Sequence, residues 1–308
     1  MDFSDNLQAN NKGMYMENIG FIGLGIMGAP MAENLLKAKV PLLANDLNPD
    51  AVNKISAKGA RAATLRDIAG NCGIVFTILP DGKTTQQVLF DDGGLAGSLK
   101  PGTLIVDMSS VTPEESRICA NGLESLGCSF IDAPVSGGEP KAIDGTLVFM
   151  VGGKQNDFER AKPFFQIMGN DAVLVGSVGS GSLAKLANQV IVNLTIAAVS
   201  EALVMVAKAG GDPEKVFKAI RGGLAASAVL EAKVPMMLER NFKPGGTLTI
   251  NRKDIGNALA TAHKIESPMP LSSQLYEIMQ SLSVMGLIEN DHSSIVQYFE
   301  TLSGTKVH

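Results

Sequence analysis

Cysteine is scarce in this sequence: three occur, Cys72, Cys119 and Cys128, with no CxxC pair among them. An odd, unpaired set excludes a disulfide scaffold and a paired-thiolate zinc site. The expectation is a reduced, cytoplasmic protein whose thiols pack as small apolar groups. Histidine is as rare, and His263, His292 and His308 have no metal-ligand spacing, so no metal is expected. Asp291-His292-Ser293 is no hydrolytic triad, because triad partners meet in space rather than in sequence. Basic residues are also in deficit, 26 against 31 acidic, and they form no stripe. That excludes nucleic acid as the expected partner.

Long hydrophobic runs are nearly absent. The first 18 residues, MDFSDNLQANNKGMYMEN, are polar and lack the apolar core of a secretory signal. Residues 1–17 read as a flexible tail, with Met16 as an alternative start. The one long apolar stretch, Val190–Ala207, contains Asn193, Ser200 and Glu201. A membrane span wants about 20 residues with few or no charges. The stretch reads instead as a helix buried in protein, with no membrane partner, and Asn193-Leu194-Thr195 as a chance sequon.

Glycine is what the chain has in excess, 33 residues where average usage of ~7% gives roughly 22. There is no tripeptide period, which excludes collagen. The excess is one-sided: 24 glycines fall in residues 1–181 and 9 in residues 182–308. Many turns, or many close approaches of backbone to something else, belong to the first half.

In that half, short apolar runs alternate with helical segments. Strands are expected at Ile19–Ile22, Leu42–Asn45, Ile74–Leu79, Leu104–Asp107, Phe130–Val135, Leu147–Val151 and Ala172–Val175. Helices are expected at Met27–Lys37, Asp50–Ala57 and after the Thr112-Pro113-Glu114-Glu115 start signal. Alternation of this kind implies β-α-β units. After Gly181 the pattern is helical: Ser182–Ala209, a helix capped by Asp212, then Ala226–Leu238, Lys253–Lys264, Leu271–Met285 and His292–Leu302. The fold class is α/β. A Rossmann-like, doubly wound parallel sheet domain (18–180) is joined by a long helix to an all-α C-terminal domain (181–308).

Gly23-Leu24-Gly25-Ile26-Met27-Gly28 follows a strand and opens a helix. The first glycine makes the turn, the second admits a pyrophosphate to the backbone, and the third allows close helix–strand packing. Asp46 lies 18 residues past Gly28, at the end of the second strand, where a carboxylate bonds ribose hydroxyls. Leu47 follows, where an arginine would welcome a 2′-phosphate. NAD is therefore preferred to NADP. Gly82-Lys83-Thr84 is a decoy, since the glycine that a triphosphate loop needs five residues earlier is Thr77.

IGFIGLGIMGAPMAENL, DAPVSGG at 132–138 and the glycine-rich lead into Lys185-Leu186-Ala187-Asn188 together resemble the β-hydroxyacid dehydrogenase family. Within it, GGEPKAIDGTL (137–147) and ERNFKPG (239–245) look like the members that interconvert tartronate semialdehyde and D-glycerate. A hydride added to an aldehyde leaves charge on oxygen, so a proton donor must stand within hydrogen-bond reach. A lysine on an otherwise apolar helix is expensive without work or a partner, and the resemblance makes Lys185 the acid/base. Asn188 and Gln189 share its helix face, and either amide could hold lysine or substrate, Asn188 being favoured. Ser136, Gly137 and Gly138 offer bare N–H groups and a hydroxyl, a cradle for a carboxylate, which is the family's use of them.

The resemblance also assigns Lys253 to substrate and cofactor, and Asp254, Leu79, Pro80, Ser110 and Thr84 to the cofactor's surroundings. Close relatives often carry a phenylalanine where this chain has Gly246, which implies a looser pocket. Phe242 is expected in the core. The partners implied are a small carboxylated semialdehyde and further copies of the chain, as a dimer or tetramer. The alternatives are reduction of other semialdehydes (3-hydroxyisobutyrate, glyoxylate or succinic semialdehyde chemistry) and a non-catalytic dinucleotide-binding module.

Overall fold

The computed structural model describes residues 18–308; the tail and Met16 lie outside them. The described chain forms two compact units, one ending at Lys185 and the other Leu186–His308.

The first unit is built on a sheet. β1 (Asn18–Ile22) leads to α1 (Gly28–Lys37), β2 (Leu42–Asn45), α2 (Pro49–Ser56) and the short β3 (Arg61–Ala62). α3 (Leu65–Asn71) returns the chain to β4 (Cys72–Thr77), which is followed by α4 (Gly82–Phe90), β5 (Leu104–Asp107), α5 (Pro113–Glu124) and β6 (Ser129–Asp132). These six strands lie in the order 3-2-1-4-5-6 and pair parallel throughout. Apart from the exposed edge strand β3, their apolar residues are largely buried on both faces, as the Leu104–Val106 run in β5 illustrates, because helices cover each side of a parallel sheet. Progress from β1 to β3 runs one way and the chain then restarts at β4 beside β1. The loops after β1 and β4 therefore meet at the switch point, where open α/β sheets bind ligands.

Beyond β6 the sheet is mixed rather than parallel. β7 (Val135–Ser136), α6 (Gly138–Asp144), β8 (Leu147–Gly152), α7 (Gln155–Met168) and β9 (Gly169–Gly176) complete the unit. β8 runs antiparallel to both β6 and β7, and β9 runs parallel to β8. The single strand expected over Phe130–Val135 is split, because Pro134 has no N–H to give a ladder. Its carbonyl accepts from Met150 instead. The thiols pack as expected. Burial pushes those of Cys72 and Cys119 up to about 12 and holds that of Cys128 above its usual value.

α8 (Ser180–Lys208) carries the chain into the second unit. There α9 (Pro213–Ile220), α10 (Ala228–Leu238), α11 (Leu248–Lys264), α12 (Pro270–Val284) and α13 (Val296–Ser303) enclose a core that includes Ile196, Leu203, Val234, Met237, Ile255 and Met279. Phe242 packs against this core. His292 opens a short 3-10 turn and is buried, with Nδ1 3.0 Å from Asn193 Oδ1. Asn193 is itself fully buried, which disposes of the sequon.

α8 corrects one expectation. It is long and apolar enough to cross a membrane by length and composition, yet only 28% of its most apolar stretch is buried within the chain. Ile191 (66%) and Met205 (67%) are exposed. Burial inside this chain does not account for its apolarity.

Asp291 is the second unit's buried anchor. Its carboxylate takes Lys233 Nζ at 2.9 Å and the N–H groups of Gly245, Gly246 and Ser293. Burial raises its pKa, but attraction to His292 and Lys233 more than offsets this and leaves it below the usual carboxylate range. Stability from this group is thus present above its unfolded pKa and lost as pH falls through the folded one. Removing one partner of a buried pair strands the other. Lys233→Met should cost about 3 kcal/mol, read as a lower urea midpoint at neutral pH. An unchanged midpoint would refute the pair's role.

Candidate active site

The three glycines after β1 serve three different ends. Gly23 has φ +97, and a Cβ there would stand 2.2 Å from the Ile78 carbonyl oxygen. A Cβ on Gly28 would stand 2.0 Å from the Gly23 oxygen. These two are fixed by packing of the turn and of α1 against the sheet. Gly25 is different, because a Cβ there would meet nothing within 4 Å. Its bare backbone faces open space, which is the clearance a pyrophosphate needs. α1 starts without a side-chain cap and without an acidic residue in its first turn, leaving its positive end available to an anion. Leu24 is buried, Gly25 and Ile26 are exposed and Met27 is half-buried. A cleft of about 520 Å³ opens here, lined by Leu24, Gly25, Ile26, Asn48 and Ala51 among others.

Asp46 is tied to the loop. Its Oδ2 accepts from Leu24 N–H at 2.6 Å and its Oδ1 from Asn48 N–H at 2.7 Å. Each carboxylate oxygen retains a lone pair for a ribose hydroxyl. Leu47 projects into solvent, 98% exposed.

The neighbouring loop is held from below by Asp107, at the end of β5. Thr77 Oγ1, Ser109 Oγ and Ser109 N–H all donate to its Oδ1, and Leu79 N–H donates to Ser109 Oγ at 2.8 Å. The Leu79-Pro80 and Ser109-Ser110 segments are thereby joined. Thr84 lies in the first turn of α4, its N–H received by Asp81. Burial pushes Asp107 up to about 6, partly offset by the Ser109 and Thr77 hydrogen bonds. A folded pKa above the unfolded one penalises the native state at high pH and relieves it as pH falls through about 6. Between pH values of about 7.5 and 5, the wild type should gain stability relative to Asp107→Asn. Parallel denaturation curves at the two pH values would contradict this.

Ser136 ends β7, half-buried, and Gly137 (φ 139) and Gly138 (φ 70) follow in conformations that favour glycine. A Cβ at Gly137 would stand 2.7 Å from that of Lys141. Lys185 is half-buried in the second turn of α8. The start of that helix is gripped by Asp132, whose Oδ1 and Oδ2 accept from Gly179 and Ser182 N–H, each at 2.7 Å.

The second unit gathers four of the expected residues into a polar cluster. Gln189 is buried, and its Nε2 donates to Asp254 Oδ2 at 2.7 Å and Asn251 Oδ1 at 3.2 Å. Its Oε1 accepts from Asn188 Nδ2 at 3.3 Å, and Lys253 Nζ lies 3.5 Å from Asp254 Oδ1. Gln189 is therefore committed to α11, whereas Asn188 is half-buried and its side-chain amide meets only that of its chain neighbour Gln189 in this cluster. Gly246 adjoins the cluster, its carbonyl accepting from Asn251 Nδ2.

Asp107, Ser109, Asp132 and Asn251 were not singled out by sequence reasoning. The signal available for the two aspartates is an acid closing an apolar strand, LIVD and FID. Asn251 is visible only once α11 is seen to start at Leu248 rather than at Lys253.

Comparison with known proteins agrees with this architecture. Residues 18–176 match the model of the NAD binding domain of 6-phosphogluconate dehydrogenase. Residues 179–299 match that of the NAD-binding region of NADP-dependent 3-hydroxyisobutyrate dehydrogenase. The chain is 40% identical over 289 residues to Escherichia coli 2-hydroxy-3-oxopropionate reductase, covering 94% of this chain and 99% of that one. The chain belongs to the β-hydroxyacid dehydrogenase family.

As a member, it is an oxidoreductase of CH–OH groups with an NAD(P)-binding domain. An NAD-dependent L-serine dehydrogenase of Pseudomonas aeruginosa is 33% identical over 94% of this chain and all of its own length. Mycobacterium tuberculosis 3-hydroxyisobutyrate dehydrogenase, solved with L-serine, superposes with a TM-score of 0.85 at 28% identity, over 92% of this chain and 98% of that one. The substrates named for these β-hydroxyacid dehydrogenases are small and differ from one another.

Proposed function

We propose that this dehydrogenase reduces tartronate semialdehyde (2-hydroxy-3-oxopropanoate) to D-glycerate, reversibly, with NADH. The observation that carries the reading is Lys185. It is half-buried just inside a helix whose start is bonded to the same strand that leads to Ser136–Gly138. Backbone N–H groups and the Ser136 hydroxyl receive the substrate carboxylate. Lys185 gives its proton to the aldehyde oxygen as charge develops there and takes it back in the reverse direction. Asn188 holds the lysine or the substrate oxygen, Gln189 and Asp254 brace it, and Lys253 adds a positive charge for substrate and cofactor. The dinucleotide, when bound, supplies the hydride from C4 of its nicotinamide ring. Gly23–Gly28 would hold its pyrophosphate, Asp46 would bond the adenosine ribose, and Leu79, Pro80, Thr84 and Ser110 would surround the nicotinamide end.

The Asp46–Leu47 pair supports NAD over NADP, since Leu47 offers a 2′-phosphate no cation. The 40% identity to a 2-hydroxy-3-oxopropionate reductase supports the substrate. Gly246 favours a second reading, turnover of a longer semialdehyde. Rates of coenzyme oxidation with tartronate, glyoxylate, succinic and methylmalonate semialdehydes, each with NADH and NADPH, test both. The proposal expects tartronate semialdehyde and NADH to give the highest kcat/KM, and a preference for NADPH would refute the coenzyme assignment. Intact Lys185 argues against a non-catalytic module.

Residues 18–180 are proposed as the dinucleotide domain and 181–308 as the substrate and oligomerisation domain of a cytoplasmic enzyme. The exposed apolar side of α8 supports association with a second copy. Light scattering at micromolar concentration should give a dimer or tetramer, and a monomer would refute it.

A further inference from the structure

A helix leaves its first N–H groups without partners, and a Ser, Thr, Asp or Asn at the N-cap usually takes one of them. In α8 that position has no side chain. Leu183 N–H donates to the Gly179 carbonyl, so the N-cap is Gly179, at φ +91. The third helical residue, Ser182, cannot reach back as the acid of a capping box does. Its hydroxyl meets Ser116 Oγ, 2.9 Å away on α5, and also hydrogen-bonds the Asp132 carboxylate.

One carboxylate does both jobs from a distance. Asp132, 47 and 50 residues earlier, accepts the Gly179 N–H on Oδ1 and the Ser182 N–H on Oδ2, each at 2.7 Å. It is 1% exposed, and burial holds its carboxyl above the usual range, offset in part by the Gly179 and Ser182 hydrogen bonds. The surroundings are cleared for it. A Cβ at Gly152 would stand 2.6 Å from Asp132 Oδ1, and one at Gly181 would stand 2.4 Å from the Met150 carbonyl oxygen. The first turn of α8 therefore meets the ends of β6 and β8 backbone to backbone. Asp132 also opens the short run to Ser136–Gly138, and it is paired in register with Asp107 and Gly152. Lys185 stands three residues after Ser182, on the same face one turn on.

We propose that Asp132 is the positioning residue that registers Lys185 against the Ser136–Gly138 cradle, by lending α8 the cap its own sequence lacks. The inference rests on the reading of Lys185 as the acid. A rigid first turn carries any misplacement to the lysine, and an error of about 1 Å in catalytic geometry costs about 10²-fold.

The test is a double-mutant cycle of wild type, K185A, D132N and D132N/K185A. Asn keeps the size but presents an amide N–H to one of the two donors. The proposal expects D132N to lower kcat about 10- to 100-fold with NADH affinity unchanged by fluorescence titration. In the K185A background the same substitution should change kcat less than about twofold, because the group it positions is gone. A D132N kcat within about twofold of wild type, or an equal loss in both backgrounds, overturns the proposal. If D132N does not fold, D132S, whose hydroxyl still accepts one N–H, goes through the same cycle with the same two outcomes. A K185A enzyme of near-wild-type rate overturns the lysine reading and this one with it. An inactive K185A beside a fully active D132N overturns this one alone.

Discussion

Lys185→Ala lowers kcat by at least ~10²-fold while NADH binds as tightly as before. The size follows from the role. A positioned general acid contributes about 10²- to 10⁴-fold, and Lys185 is the one candidate donor on the helix face that begins at the Asp132 anchor. The selectivity follows from the fold. The glycine loop, Asp46 and the Asp107–Ser109–Leu79 bonds all lie on other elements of the first unit, so removing the lysine leaves them in place. Lys185→Arg should be nearly as poor, because a guanidinium keeps the charge but does not give up a proton near neutral pH. Near-wild-type turnover in either variant would rule out Lys185 as the acid.

Gly25→Val should raise the Kd for NADH by about 100-fold, close to 2.7 kcal/mol, and leave thermal unfolding of the ligand-free protein unchanged. Substitution at Gly25 meets no protein atom within 4 Å, so the folded chain has no reason to object. The added methyls occupy the space where the pyrophosphate must approach the backbone. Gly28→Ala should do the opposite. Its Cβ would lie 2.0 Å from a backbone oxygen, so the unfolding temperature should fall sharply. Equal melting temperatures for all three proteins, or tight NADH binding by Gly25→Val, would refute the division of labour among the three glycines.

Much of this was legible because it is local. Leu42–Asn45 and Leu104–Asp107 lie where their apolar runs place them. Thr112 caps α5 through a capping box with Glu115, as its sequence signals. What was not legible is non-local or masked. Strand direction leaves no mark on periodicity, so β8 was legible as a strand at Leu147–Val151 but its antiparallel direction was not. α6 hides behind Gly137 and Gly138 and contains Pro140, while α7 carries Pro163 inside it. The site followed the same division. The loop, the cradle and Lys185 are contiguous motifs. Asp132 acts on residues 47 and 50 positions away, and only the folded chain brings them together. The apolarity of α8 beyond what one small helical domain covers was legible, but not which of its residues stay exposed, Ile191 and Met205 among them.

The glycine excess acquires its meaning from these contacts. Gly25 leaves room for a ligand, Gly23 and Gly28 for the turn and helix, and Gly152 and Gly181 for the Asp132 anchor. The second unit makes fewer such approaches, the tightest at Gly211, where a Cβ would stand 2.9 Å from Val206 Cγ1, and it is correspondingly glycine-poor.

The most direct measurement follows the hydride itself. The protein would be supplied with tartronate semialdehyde and NADH deuterated at both C4 positions of the nicotinamide ring, and the product would be examined by mass spectrometry. The account predicts D-glycerate carrying deuterium on C3, the former aldehyde carbon. Glycerate without deuterium, or no aldehyde-dependent loss of NADH, would contradict it.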